Sequence, residues 1–208
     1  MNARVVIIQK SLPQYRRTFF EKLKTSLEKQ EIELVLVYGH PEKKEAFRKD
    51  LVEISWAHKI KNRIIKFAGK AFYWQPCLPV LKNTDLIIVE QANKLLINYY
   101  LWILNLLGII KLAFWGHGKN FQSSAKDRLS ERLKRFMSNK VRWWFAYDNL
   151  SANIIKATGF PGQRITVVQN AIDTKALKRM RLEVTPEILE KCRLESDIRG
   201  ENIAVYSG

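Results

Sequence analysis

The sequence is poor in the residues that build covalent and metal-based sites. Its 208 residues include two cysteines, Cys77 and Cys192, which match neither a disulfide framework nor the CxxC spacing of a metal site. Three scattered histidines and no HExxH motif give little support to a zinc centre, so we expect no metal. The low cysteine content favours a reducing, cytoplasmic compartment.

Glycine-rich phosphate loops are also missing. Neither GxGxxG nor GxxxxGK[ST] occurs, which argues against dinucleotide oxidoreductases and P-loop enzymes. Internal repeats and low-complexity tracts are absent, and the 47% of hydrophobic residues excludes wholesale disorder. The apolar run within residues 1–9 is too short for the core of a signal peptide.

The longest apolar run, residues 95–115, contains a single charge, Lys111. Its length is sufficient to span a bilayer. However, Gly108 lies where a helix would take its C-terminal cap, and the residues after it are short, apolar and β-prone. We therefore predict a helix over 93–107 and a buried strand over 109–115 in place of a membrane span.

Acidic residues are scarce: 20 Asp and Glu face 36 Lys and Arg, which gives a net charge of +16. The excess lies in stretches without acids, notably between Glu53 and Asp85 and between Glu131 and Asp148. Such patches attract phosphate, whether in nucleic acid, anionic lipid or a diphosphate ligand. The alternative is a solvated surface that only keeps the protein soluble.

Short apolar runs of strand type alternate with helical patterns along most of the chain. The strand candidates are 5–9, 33–38, 86–90, 109–115, 143–147 and 165–168, and the further helix candidates are 17–29, 124–138 and 151–158. This alternation predicts a Rossmann-like α/β fold, a parallel sheet with helices on both faces. Within residues 40–80 we expect one more strand near Ile54 and a basic helical segment over 61–74.

The end of the chain differs in character from the rest. Residues 1–173 are predicted to form the main domain, and 174–201 two charged helices, with Pro186 near the start of the second. Residues 202–208 read as a new strand that runs into a glycine. We expect them to be the first strand of a further domain, and the chain to be the first part of a longer protein.

Polar loops follow five of the predicted strands. Ligands of open parallel sheets bind outside the carboxyl ends of the strands, so these loops should meet at one site. The residues that we assign to it are Lys10, Gln14, Tyr15, Arg16, Glu90, Gly116, His117, Gly118, Lys119 and Asn120.

Two of these residues carry specific chemistry. His117 lies between two glycines that let the backbone approach a ligand, and it can donate, accept or titrate near neutral pH. A turn histidine is the alternative. Arg16 precedes a helix, where its charge opposes the macrodipole unless an anion is present, so with Lys10 it predicts a phosphate site. A solvated arginine is the alternative there.

Several segments together carry a resemblance. They are LPQYR at 12–16, WGHG at 115–118, AYDNLSANI at 146–154, GFPG at 159–162, ITVVQNAIDT at 165–174 and NIAVYSG at 202–208. In this order they resemble the N-terminal domain of glycosyltransferase family 4, in members of the polysaccharide-assembly type. The resemblance covers nearly the whole chain and rests on the order and spacing of its motifs.

The resemblance implies one half of a two-domain GT-B enzyme that transfers a sugar from a nucleotide-sugar to a glycan or lipid-linked acceptor. It implies retention of configuration, no metal and no tightly bound cofactor. The N-terminal domain would hold the acceptor, and most of the donor site would lie in a C-terminal domain that this chain lacks. The chain alone is then expected to be inactive.

The resemblance also implies roles for particular residues. His117 matches the family histidine that meets the transferring sugar. The loop from Lys10 to Arg16 would face donor and acceptor, although it lacks the paired glycines that the family often has there. Asn170 and Asp173 match an Asn-x-x-Asp motif that would shape the interdomain hinge.

A basic, aromatic segment over 59–74 suits an anionic membrane surface. The candidate membrane-facing residues are Lys61, Arg63, Lys66, Lys70, Phe72, Tyr73 and Trp74. They predict a peripheral protein at the inner face of the cell membrane; an amphipathic helix packed on the sheet is the alternative. The net charge also permits a nucleic-acid-binding module, although no RRM, KH, helix-turn-helix or zinc-finger pattern is present.

Overall fold

A computed structural model describes residues 3–40, 51–67, 69–118, 136–169, 171–198 and 200. The chain divides into two compact units, Met1–Ala171 and Ile172–Gly208. Most of the predicted helix over 124–138 and the predicted strand over 202–208 lie outside the described residues.

The first unit is built on a parallel sheet and also contains a separate two-stranded sheet. The strands of the unit are β1 (Ala3–Gln9), β2 (Ile32–Gly39), β3 (His58–Ile60), β4 (Arg63–Phe67), β5 (Lys70–Trp74), β6 (Leu86–Glu90), β7 (Leu112–Gly116), β8 (Trp143–Ala146) and β9 (Ile165–Val167). Its helices are α1 (Arg17–Glu28), α2 (Leu96–Leu106) and α3 (Asn149–Ala157). Seven strands form one sheet in the order β3-β2-β1-β6-β7-β8-β9, and every pairing in it is parallel. The central strands are buried, which explains why their sequences are continuously apolar.

The strand order sets the place of a ligand site. From β1 the chain proceeds outward to β2 and β3, then returns to β6 and proceeds the other way to β9. The order therefore reverses between β1 and β6. Open α/β sheets bind ligands outside the carboxyl ends of the strands at such a reversal, because the flanking loops diverge there and leave a crevice.

Apolar layers cover both faces of the sheet. On one face Phe20 of α1, fully buried, packs in a cluster with Leu36 of β2. On the other, Leu101 of α2 and Ile155 of α3 pack in a cluster with Trp144 of β8. The prediction of a Rossmann-like fold with helices on both faces is confirmed.

The apolar run from 95 to 115 folds as its sequence predicts. Helix α2 ends at Leu106, Gly108 takes a left-handed φ of 72°, and β7 begins at Leu112. The Asn105 side chain ties this turn by accepting a 3.0 Å hydrogen bond from the Leu112 N–H. Among the residues that the structure describes, no helix is both long and apolar enough to cross a membrane.

The prediction of a basic helix over 61–74 is wrong, because this segment is the antiparallel β4–β5 hairpin. Gly69 turns the chain with a φ of 72°, which a helix interior does not allow. Tyr73 is buried, and its N–H donates to the Lys94 carbonyl at 2.8 Å, so it is not a membrane-facing residue. Ile54 is buried, but the extra strand of this region is β3, a few residues later.

The second unit contains two helices, α4 (Thr174–Leu182) and α5 (Pro186–Glu195). Asp173 caps α4 by accepting a 3.0 Å hydrogen bond from the Ala176 N–H, and Thr185 caps α5. Pro186 occupies the first position of α5, where its missing N–H costs no helical hydrogen bond. The prediction of two helices with Pro186 opening the second is confirmed.

Candidate functional site

A cavity of about 500 Å³ opens at the carboxyl ends of the parallel strands. Its lining residues are Tyr15, His117, Tyr147, Asp148 and Gln169. They come from the loops that follow β1, β7, β8 and β9. The fold thus brings together loops that are far apart in sequence, at the edge where the strand order predicts a ligand.

His117 is held on two sides. Its ring stacks on Tyr147, with centroids 4.3 Å apart and planes 29° from parallel. Its Nδ1 lies 3.1 Å from Oγ of Ser151, a buried residue of the first turn of α3. If Ser151 donates to Nδ1, Nε2 carries the ring proton; if Nδ1–H donates to Ser151, Nε2 is an acceptor. Either tautomer gives the ring an oriented polar edge.

Asp148 places a negative charge beside this ring. It is the N-cap of α3 and accepts a 2.6 Å hydrogen bond from the Ser151 N–H. This N–H, followed by the Ser151 side chain and by His117, lowers the pKa of Asp148 below its usual value, so the carboxylate is ionised at neutral pH. Among the described residues, no group of three or more His, Cys, Asp and Glu side chains is placed to hold a metal ion.

The glycines on either side of His117 lie against neighbouring side chains of the protein that leave no space for a Cβ. A Cβ on Gly116 would lie 2.9 Å from Cβ of Gln91, and one on Gly118 would lie 2.6 Å from Cγ1 of Ile155. Gly118 also has a left-handed φ of 72°. The His117 loop therefore packs closely against Gln91, the residue after β6, and against α3, which is a packing reason for both glycines.

Beneath the cavity lies a network that we call the Arg16 cluster, formed by Arg16, Gln9, Glu90 and Tyr147. The Arg16 guanidinium is buried and donates to Gln9, to the Tyr147 hydroxyl and, at 3.3 Å, to Glu90. Glu90 also accepts the Lys10 N–H at 2.8 Å. The anion that the start of α1 requires is therefore Glu90. Arg16 is therefore not available to bind a phosphate at the site predicted here, because its charge is already paired with Glu90.

Burial shifts the two ionisable partners of Arg16. It raises the pKa of Glu90, against the opposing effects of the Lys10 N–H and the Arg16 guanidinium. It also raises the pKa of Tyr147, again against Arg16. Tyr147 is thus a neutral phenol at physiological pH, and its ring presents a stable stacking surface to His117.

The other predicted site residues are distributed more widely. Gln14 is exposed in a 3-10 turn, and the Lys10 ammonium lies 4.6 Å from the centroid of the Tyr73 ring. Asp173 belongs to the second unit, as the cap of α4. Lys119, Asn120 and Asn170 lie outside the described residues.

Four residues of the site were given no role in it from sequence, although Asp148 and Gln169 open two of the loops that were expected to meet there. They are Tyr147, Asp148, Ser151 and Gln169. Tyr147 is the last residue of a predicted strand and Asp148 follows it directly, and the pair Asp148 and Ser151 has the spacing of a helix N-cap. Gln169 directly follows the predicted strand over 165–168, but its left-handed φ of 57° becomes visible only in the structure. A non-glycine residue in that region is uncommon, and such strain concentrates at functional sites.

No family model and no curated protein matches the chain. Solved structures do match. HepE of Anabaena in complex with UDP-glucose aligns with a TM-score of 0.55 at 13% identity, over 93% of this chain and 50% of that one. A glycosyltransferase from Rickettsia africae aligns at 0.54 and 13%, over 96% and 51%. UDP-GlcNAc 2-epimerase from Neisseria meningitidis, bound to UDP-GlcNAc, aligns at 0.54 and 15%, over 96% and 55%.

The likeness establishes the fold. At identities of 13 to 15% it carries no residue roles, and this chain spans about half the length of each matched structure. The Rossmann-like unit described above is therefore an architecture shared with enzymes whose names refer to nucleotide sugars or glycosyl transfer. The geometry of the cavity must carry any statement about chemistry.

Proposed function

We propose that the chain is the acceptor-side, N-terminal part of a retaining glycosyltransferase of family 4. The enzyme moves a sugar from a nucleotide-sugar to a glycan or lipid-linked acceptor. In this proposal residues 1–173 hold the acceptor, 174–201 link the domains, and 202–208 begin the donor-binding domain. Asn170 and Asp173 then lie at the hinge.

The observation that carries the proposal is the fixed orientation of His117 in the cavity. Stacking on Tyr147 and the contact with Ser151 hold the imidazole, and Asp148 adds an ionised carboxylate beside it. Such groups recognise sugar hydroxyls, since the carboxylate accepts hydrogen bonds from them and the imidazole can donate or accept one. The carboxylate also favours the positive charge that develops on a sugar during transfer.

The charge that develops on the leaving nucleoside diphosphate determines which protein groups the reaction needs. The leaving nucleoside diphosphate must be neutralised, and the basic surface of the chain suits an anionic donor. Binding of the donor as a substrate requires no resident cofactor. Closing a second domain over the cavity would exclude water, which otherwise competes with the acceptor.

The test uses the polypeptide that the complete gene encodes, supplied with labelled nucleotide sugars and candidate acceptors. His117→Ala should reduce transfer by about two orders of magnitude, the scale of one positioned donor or acceptor group. His58→Ala is the matched control, because His58 is exposed on β3, away from the cavity. Equal transfer by both variants and the wild type would remove His117 from the site. The anomeric configuration of the product tests retention.

The same assay separates the proposal from other functions. An epimerase would convert the nucleotide sugar into an isomer and form no glycoside. This outcome would show that the enzyme isomerises its substrate and does not transfer the sugar. For the 208-residue chain, NMR of three histidine rings gives a simple readout: acceptor should shift the His117 resonances and leave those of His40 and His58 in place. The nucleic-acid alternative predicts RNA binding with a steep salt dependence and no transfer.

A further inference from the structure

Helix α2 has an unusual outer face. The sequence from Leu95 to Ile110, which contains it, has no charged residue. Its inner side packs in the core, yet Tyr100, Ile103 and Leu107, spaced to share one helix face, are 40%, 51% and 68% exposed. A surface helix normally carries polar residues on its outer side, so this face lacks the pattern of a water-facing surface.

The β4–β5 hairpin has a similar face. In its register Ile65 lies opposite Phe72, and Phe67 opposite Lys70, so these side chains share one side with Trp74. Phe67 is 74% exposed and Ile65 is 48% exposed. A two-stranded hairpin is rarely stable with so much apolar surface in water, which indicates that this face meets another surface.

The two elements adjoin. The Trp74 ring contacts the Tyr100 ring edge-on, with centroids 6.2 Å apart. The Tyr73 N–H donates to the Lys94 carbonyl just before α2. The apolar residues of the two elements thus form one continuous feature, the hairpin–α2 surface. Its members are Ile65, Phe67, Phe72, Trp74, Tyr100, Ile103 and Leu107.

In residues 59–74 and 93–111, which contain the two elements, every charged residue is basic. The acid-free stretch after Glu53 supplies exposed lysines and arginines on the hairpin, and Lys94 and Lys111 flank α2. Two acids lie between the elements in sequence, and both are engaged elsewhere: Asp85 accepts the Arg4 N–H, and Glu90 belongs to the Arg16 cluster. Bases around exposed aromatic and aliphatic side chains are the composition of a membrane-interface element.

We propose that the hairpin–α2 surface docks the protein on an anionic lipid bilayer, with the apolar side chains in the headgroup region and the surrounding bases against the lipid phosphates. The surface replaces the basic helix expected from sequence. It depends on the fold of the first unit and not on the sugar chemistry proposed above.

Two other occupants fit the surface less well. A symmetric dimer through this face would set bases against bases, since a two-fold interface pairs a patch with itself. Nucleic acid would match the charge, but Ile65, Ile103 and Leu107 offer it neither stacking nor hydrogen bonds. A bilayer satisfies the aliphatic, aromatic and basic groups together.

The first test is sedimentation of the 208-residue chain with vesicles of phosphatidylcholine containing phosphatidylglycerol, and with phosphatidylcholine alone. Binding is expected to the anionic vesicles and to weaken with salt. Phe67→Glu and Leu107→Glu should each lower the partition coefficient by about tenfold, the scale of losing one inserted apolar side chain. Leu150→Glu is the matched control, because Leu150 is 60% exposed on α3, outside the surface.

A second measurement locates the contact. An environment-sensitive dye is attached at Phe67→Cys in a Cys192→Ser background, since Cys192 is exposed. The remaining Cys77 is buried, and burial raises its pKa to about 11, which suppresses its labelling. On anionic vesicles the dye emission at position 67 should shift to the blue, whereas the same dye at Leu150→Cys should not respond.

Three results would overturn the proposal. One is equal binding by Phe67→Glu, Leu107→Glu and the wild type. Another is a concentration-dependent dimer that these substitutions dissolve, which would assign the surface to a second copy of the chain. The third is RNA binding lost in the same variants without vesicle binding. Circular dichroism of every variant shows that lost binding does not come from lost folding.

Discussion

The Arg16 cluster and the hairpin–α2 surface differ in which kind of side chain is buried and which is exposed. In the cluster a charged group is buried, and it is surrounded by Gln9, Glu90 and the Tyr147 hydroxyl. On the surface apolar groups are exposed, and the described residues leave them largely uncovered. Buried charge is tolerated only when it is paired, whereas exposed apolar surface persists when something outside the protein covers it. The first region thus serves the fold and the cavity, and the second is the region for which we propose an external contact.

The largest effect is expected from Arg16→Ala. It removes four hydrogen bonds, to Gln9, Tyr15, Glu90 and Tyr147, and leaves the partly buried Glu90 without its cation, which should lower the free energy of unfolding by about 4 kcal/mol. The measurement is urea unfolding followed by circular dichroism. Arg17→Ala is the control, because the neighbouring Arg17 is exposed, and it should change the same quantity by under about 0.5 kcal/mol. Similar losses in both variants would show that burial of Arg16 contributes little.

Most of the fold could be predicted from the sequence, because buried parallel strands are written as continuous apolar runs. Those of β1, β2, β6 and β7 are clear, and the helix stop at Gly108 follows from glycine's access to positive φ. The hairpin was missed because its strands are largely exposed and so have no continuous apolar run. Its basic and aromatic residues match either period over so short a stretch, and the turn at Gly69 decides the structure only in three dimensions.

The site was predictable in position but not in its contacts. The rule of the carboxyl ends points to the edge of the sheet where the cavity opens and where His117 lies. It could not show that Arg16 turns inward, because that depends on Glu90, 74 residues away in sequence and adjacent only across the sheet. Tyr147 was passed over because an aromatic residue at the end of an apolar run reads as part of the strand.

The pH dependence of stability tests what Glu90 contributes to the cluster. Burial raises its pKa in the fold, so folding is less favourable for the ionised carboxylate than for the neutral acid. This contribution is fully present below the ordinary glutamate pKa of about 4.3 and is lost as the pH rises through the raised value. The stability of the wild type relative to Glu90→Gln should therefore fall as the pH increases above about 4.3. Urea titrations from acid to neutral pH measure this difference. A difference that grows with pH would mean that pairing with Arg16 outweighs burial.

The smallest effect is expected on the hairpin–α2 surface, where stability and function separate. Phe67→Ala should change the free energy of unfolding by under about 0.5 kcal/mol, because the ring is 74% exposed. Phe20→Ala is the matched comparison: the same substitution at a fully buried ring of α1 should cost about 3–5 kcal/mol. Thermal or urea unfolding of both variants measures the contrast. A cost at Phe67 near that at Phe20 would mean that the protein itself covers this ring, and the surface would then have no apolar anchor to offer a bilayer. A small cost would show that the Phe67 ring contributes little to the stability of the folded chain. The ring would then be free to contact an external partner.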